Sequence, residues 1–287
     1  MPALNRVRSL SCPQCAAAME PLALEGHYGQ TVDTDLCEHC NLIWFDALES
    51  VNFSGLGWVK LLRRMGDATA EPIGPVRHDL RCPRCKQALK TVFNQSKLGH
   101  FGELECPACR GTLASFSLLL AQRGVVRPLS RRDLDALHQE KREASCLNCG
   151  AGLTREQCAT PADREARCPY CVSPLLVIDM PRFLSALLMR HAEGVAVERI
   201  GWACRGCGSP LEPTHSAACE TCAHLVVVPH LVDLRPVLDA VEPQLRAAPP
   251  RGPKRHGQRL REMRGDPTQT GLYRLLLGLR DWLQGGR

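Results

Sequence analysis

Cys12-Pro13-Gln14-Cys15 and Cys37-Glu38-His39-Cys40 are the first two of eight Cys-x-x-Cys pairs in a chain of 287 residues. The others are Cys82/Cys85, Cys106/Cys109, Cys146/Cys149, Cys168/Cys171, Cys204/Cys207 and Cys219/Cys222. Sixteen of the 17 cysteines are used in this way, and only Cys158 is left over. Taken two at a time, the pairs give four modules with 21, 20, 18 and 11 residues between the knuckles. Two such knuckles bring four thiolates to one ion, the ligand set of a structural zinc ribbon. The sequence therefore predicts four Zn2+ sites, all closed by sulfur.

The modules fall at residues 10–50, 80–118, 144–180 and 202–230. Segments this short do not bury a self-sufficient core. A structural zinc supplies the missing stability, on the order of 10 kcal/mol of apparent binding energy in small zinc peptides. The predicted fold class is a small metal-stabilised β fold: four tandem four-cysteine zinc ribbons, each nucleated by its metal, with connector α-helices and a C-terminal amphipathic helix. The start, Met1 to Arg8, shows no apolar secretory core, and no run approaches the roughly 18 apolar residues of a membrane span. The expected compartment is the cytoplasm, where reduced thiols favour metal over disulfides.

The first module resembles a known family. Cys12-Pro13-x-Cys15, a hydrophobic strand, then Cys37-x-x-Cys40 with Ile43-Trp44-Phe45-Asp46 and Glu49 is similar to the bacterial transcription factor IIB-type zinc ribbon. That family has glycines directly after its last cysteine, where this chain has Asn41 and Leu42, and a glycine before the final Glu, where it has Leu48. The resemblance implies a zinc ribbon and, through the family's name, an association with transcription.

Several local patterns accompany the pairs. Met19, Leu89, Leu153 and Leu211 stand four residues after each opening knuckle. Gly26-His27-Tyr28-Gly29 and Gly99-His100-Phe101-Gly102 look like one hairpin motif used twice, which suggests internal duplication. His27 and His100 are expected to pack or hydrogen-bond, since each site already has four sulfurs. Helices are predicted within 46–68 and from Pro181 onward, with a linker at 71–75. Ser130 to Asp133 reads as a capping box opening a solvated connector helix. Cys158 reads as a small core residue, with no acid or histidine in a catalytic pattern beside it.

The formal charge is +6. Each tetrathiolate zinc carries about −2, which would bring the loaded protein to roughly −2. Overall basicity therefore argues for no partner. Positive charge concentrates between Arg246 and Arg264, with seven basic residues against Glu262 alone, in a proline-containing segment at 246–268. A helix is predicted at 269–284, with Leu272, Leu275, Leu276, Leu279, Trp282 and Leu283 on one face. That face, at 270–283, would dock on the chain itself, on a partner protein or on a membrane surface.

No metalloprotease, nucleotide-loop, nucleophile-elbow or dinucleotide motif occurs. The chain is expected to be no enzyme but a binding or regulatory module acting through an unidentified protein partner. Two alternatives stand beside this: DNA or RNA binding through 246–264, and rubredoxin-like iron sites carrying electrons.

Overall fold

Leu42-Ile43-Trp44-Phe45 is buried at all four positions, whereas a strand covered on one face alternates. The computed structural model explains this. It describes residues 9–47, 53–68, 74–96, 99–158, 166–188, 202–211 and 216–247, apart from the side chains of 28 and 94–101. Three strands of the first module, β1 (Glu20–Glu25), β2 (Thr31–Cys37) and β3 (Leu42–Phe45), join three of the second, β4 (Lys90–Ser96), β5 (Gly99–Glu105) and β6 (Thr112–Ser115). They form one antiparallel sheet in the order β1-β2-β3-β6-β5-β4. At the junction Leu42 pairs with Ser115, Ile43 with Ala114, Trp44 with Leu113 and Phe45 with Thr112.

Both faces of β3 are therefore interior. Ile43 and Phe45 enter a large core, and Leu42 and Trp44 enter a second core that also holds the cysteines of the first two modules except the exposed Cys85. The first two ribbons are therefore halves of one sheet. A lone ribbon would leave one face of β3 in water, and pairing with β6 buries both.

The large core is closed by helices. α1 (Gly55–Asp67) begins at Ser54, whose side chain accepts from Gly57 N–H, and buries Val59, Leu61, Leu62 and Met65. Gly57 permits close packing on β1: a Cβ there would lie 2.3 Å from the Glu25 carbonyl oxygen. α2 (Phe116–Gln122) follows β6 directly, capped by Ser115. After β7 (Val126–Pro128) comes α3 (Arg131–Gln139), with the predicted capping box present. This helix is not simply solvated, as the sequence suggested. Asp133, Ala136 and Leu137 are buried, and Arg127 holds the Asp133 carboxylate through two hydrogen bonds of 2.5 and 2.6 Å.

The third module contributes β8 (Ala144–Ser145), β9 (Gly152–Leu153), the short α4 (Arg155–Cys158) and β10 (Leu176–Ile178). β10 pairs with β7, not with its own hairpin, and leads into α5 (Met180–Leu188). Among its described residues the fourth module has β11 (Trp202–Ala203) and β12 (Pro210–Leu211). α6 (Arg235–Ala247) then returns to the large core with Val237, Leu238, Val241 and Leu245. Arg63 of α1 pairs with Asp239 and Glu242 of α6. The described residues fall within one compact unit, 1–250. The basic segment beyond Ala247 and the helix predicted at 269–284 lie outside the described residues.

The repeated Gly-His-aromatic-Gly letters mislead. His27–Gly29 forms a 3-10 turn between β1 and β2, whereas Gly99–Gly102 lies within β5, pairing back to Ser96–Phe93. The two motifs occupy different places in their modules. What repeats is the three-stranded knuckle unit itself, mirrored across the β3–β6 junction.

Candidate metal centres

All sixteen paired cysteines are brought together as the spacing predicts: Cys12/Cys15/Cys37/Cys40, Cys82/Cys85/Cys106/Cys109, Cys146/Cys149/Cys168/Cys171 and Cys204/Cys207/Cys219/Cys222. Within each quartet the sulfurs lie inside 4.8 Å of one another. The closest Sγ–Sγ pairs lie between 3.4 Å (Cys85–Cys106) and 3.7 Å (Cys149–Cys168) apart. Disulfide sulfurs would sit at about 2.05 Å. A tetrahedral ion with metal–sulfur bonds of about 2.3 Å spaces its ligands at about 3.8 Å. The quartets thus fit a tetrathiolate metal and not a disulfide.

The knuckles share one backbone form. In the first, Ala16 N–H donates to Cys12 C=O at 2.8 Å and Cys12 N–H to Ala17 C=O at 2.7 Å. The same two bonds recur at Cys82, Cys106, Cys146, Cys168, Cys204 and Cys219. At Cys37 the turn merges with the β2–β3 ladder, where Cys37 faces Leu42. The turn carries amides toward sulfur, as with Cys85 N–H on Cys82 Sγ at 3.4 Å and Gly206 N–H on Cys204 Sγ at 3.3 Å.

Such a turn requires a left-handed residue directly after the second cysteine. All eight positions have φ between 51° and 75°. Two are glycine, Gly150 and Gly208; the others are Ala16, Asn41, Lys86, Arg110, Val172 and Ala223. Val172 is the most strained of these, since β-branched side chains fit this region poorly. Its side chain is largely exposed, so little packing opposes a change. Val172→Gly is therefore expected to stabilise the metal-loaded protein by about 0.5–1 kcal/mol, the left-handed penalty less the chain entropy of glycine. Thermal unfolding checks it, and a lowered midpoint would contradict the strain assignment.

Without a cation the quartets are electrostatically frustrated. A hydrogen bond from Cys37 lowers Cys12 to about 5 against the cost of burial, while the same bond and burial push Cys37 up. Burial raises Cys40 to about 12. Four thiolates share so small a volume only around a positive ion, and a bound divalent metal would supply that charge. Cys158 belongs to no quartet. It is 5% exposed among the apolar side chains around the third site, and burial, then the nearby Cys168 charge, pushes its thiol to about 11.

Connections between the sites were not legible in the spacing. Arg84, in the second module's opening knuckle, donates to Asp46 Oδ1 at 2.5 Å, and that atom also accepts from Trp44 Nε1 at 3.0 Å. Asn41 Nδ2 donates to the Asn148 carbonyl at 2.6 Å, tying the first module to the third, and Ser117 N–H reaches Asn148 Oδ1 at 3.4 Å. Asn41 stands where the resembling family has glycine: asparagine tolerates the left-handed turn, and its amide bridges two modules. His224 Nε2 meets Glu140, at the end of α3, at 2.8 Å, and Ser145 Oγ donates to the Pro229 carbonyl at 2.6 Å, joining the third module to the fourth.

The sites differ in access. All four cysteines of the third are buried, and the first has only Cys15 at intermediate exposure. Cys85 of the second is exposed, as are Cys207 and Cys222 of the fourth. The fourth also has the smallest core, Cys204, Cys219 and Leu211. Metal capture by a chromogenic chelator is therefore expected to empty the fourth site first, then the second, with the third last. Pulsed alkylation of freed thiols reads the order, and early labelling of Cys146 or Cys149 would refute it.

No family model, no curated protein and no solved structure matches this chain, and what characterises it is four four-cysteine groups able to bind metal, built into one fold.

Proposed function

We propose that this is a non-catalytic zinc protein whose four ions are structural and whose task is to bind a partner protein. The observation that carries this reading is the donor set. Each quartet is complete with four sulfurs, whereas a catalytic zinc keeps a position open and draws on histidine or carboxylate. Zinc is the assignment for a tetrahedral sulfur site; iron would occupy the same ligands in a rubredoxin-like carrier, and metal analysis of the purified protein separates the two. Hydrogen bonds and a shared sheet link the modules, so the ribbons support one surface and do not act as independent beads.

A second reading follows from the segment 246–264, whose seven basic residues suit DNA or RNA. It is also what the likeness to the transcription factor IIB-type ribbon implies. Affinity purification from native cells, with and without nuclease, distinguishes the readings. Partners retained after nuclease favour protein binding; partners lost with nuclease favour the nucleic-acid reading, and that affinity should fall steeply with salt.

A further inference from the structure

The two edges of the six-stranded sheet are treated differently. A bare edge strand is a template for another strand, and proteins blunt it with proline, charge or cover. β1 has all three. Pro21 lacks an N–H, Lys60 Nζ donates to the Ala23 carbonyl at 2.7 Å, and Ser54 N and Oγ donate to the Glu25 carbonyl at 2.8 and 3.0 Å. Arg64 holds Glu20. β4, Lys-Thr-Val-Phe-Asn-Gln-Ser, has no proline and one charge, at its first residue. Among the described residues nothing pairs with its outer side.

Two of the four large exposed apolar residues among the described residues, Phe93 and Val172, border one groove beside this edge. Phe93 of β4 is 72% exposed, and Gly102 opposite it gives its ring room. Phe93 borders a groove of about 750 Å3 whose floor is one face of the sheet: Leu42, Leu113, Leu104 and Thr91. Val172, 48% exposed, forms the far wall, with exposed Tyr170 on the same knuckle. Large exposed apolar residues clustered at an open edge mark a contact surface.

We propose that β4 is a self-association edge, pairing antiparallel with β4 of a second copy so that two sheets become one across a twofold axis. Charge selects this occupant. Pairing centred on Phe93 sets Lys90 opposite Ser96 of the second copy, and the two lysines stand about 20 Å apart along the strand, beyond the ~8 Å screening length. The near-neutral strand offers little to a highly charged ligand, and the proline, glutamates and covered carbonyls of β1 disfavour pairing there. The contact, one strand with Phe93 and the knuckle wall, is small beside the ~800 Å2 per partner of stable complexes. The dimer is therefore expected to be reversible, with a dissociation constant on the order of micromolar.

Sedimentation velocity on the metal-loaded full chain, from about 1 to 200 µM across that range, tests this. The expected result is a mass rising from 31.6 kDa toward twice that value, with Phe93→Lys remaining monomeric. A wild-type protein that stays at 31.6 kDa throughout, or a Phe93→Lys variant that associates equally well, overturns the proposal. Should Phe93→Lys bind less metal than wild type, hydrogen exchange of the wild-type β4 amides decides instead. Protection that grows with protein concentration supports the pairing, and protection independent of concentration refutes it.

Discussion

Cys149→Ser is expected to abolish the cooperative unfolding transition, not merely to remove one ion. The third site is the one whose four cysteines are all buried, and Cys149 is completely so. Its knuckle also carries Asn148, which accepts the Asn41 amide and the Ser117 N–H and so fastens the third module to the sheet. On the far side Leu129 N–H bonds the Leu175 carbonyl at 3.0 Å, and β10 pairs with β7. Losing a structural zinc removes on the order of 10 kcal/mol of apparent binding energy. A domain's whole stability is about 5–15 kcal/mol. The three remaining cysteines would have no ion to bridge them. Cys207→Ser, at the exposed fourth site, is the control: it should cost one ion and leave the transition recognisable. Metal stoichiometry and circular dichroism on both variants check the contrast. A wild-type midpoint in Cys149→Ser would show that the metal does not hold this part of the fold.

The four cysteine quartets could be read from the sequence because their geometry is set over very short range. Cys-x-x-Cys closes one turn, so spacing alone places the sulfurs. The left-handed residue after each knuckle has a clear signal only at Gly150 and Gly208; at Val172 and Arg110 the turn overrides residue preference. The shared sheet was harder to see. The β3–β6 pairing joins residues some 70 positions apart, and its one local trace is that Leu42 to Phe45 do not alternate. Four consecutive apolar residues on a short ribbon strand signal two covered faces, and a second module is the available cover. Asp133 failed for a related reason. Its neighbours Arg131, Arg132 and Asp135 make the helix look solvated, while the burial depends on Arg127 reaching back from β7. The Gly-His-aromatic-Gly likeness shows the opposite error, an identity of letters that the strand register does not share.

The junction itself yields the second large effect. Trp44 is fully buried in the core that holds the first two metal sites, and its ring lies where a Cβ on Gly111 would fall, 2.3 Å from Trp44 Cζ2 and 2.9 Å from the Phe45 carbonyl oxygen. Gly111 is needed for closeness and not for turning, because it has to leave room for an indole from the other module. Trp44→Ala should cost about 3–5 kcal/mol by opening a cavity at the joint, and it also frees Asp46 from the indole N–H. Gly111→Ala should cost about 1–3 kcal/mol by overpacking the same joint. If the indole is what the glycine accommodates, the two changes are not additive. Gly111→Ala placed in the Trp44→Ala background should lose the part of its penalty due to the indole, a coupling of about 0.5–3 kcal/mol, and keep the part due to the Phe45 carbonyl oxygen 2.9 Å away. Denaturant unfolding of the two single variants and the double variant, all metal-loaded, measures this. Simple additivity would mean that the two modules do not meet through this contact, and that the six-stranded sheet is held by its backbone ladder alone.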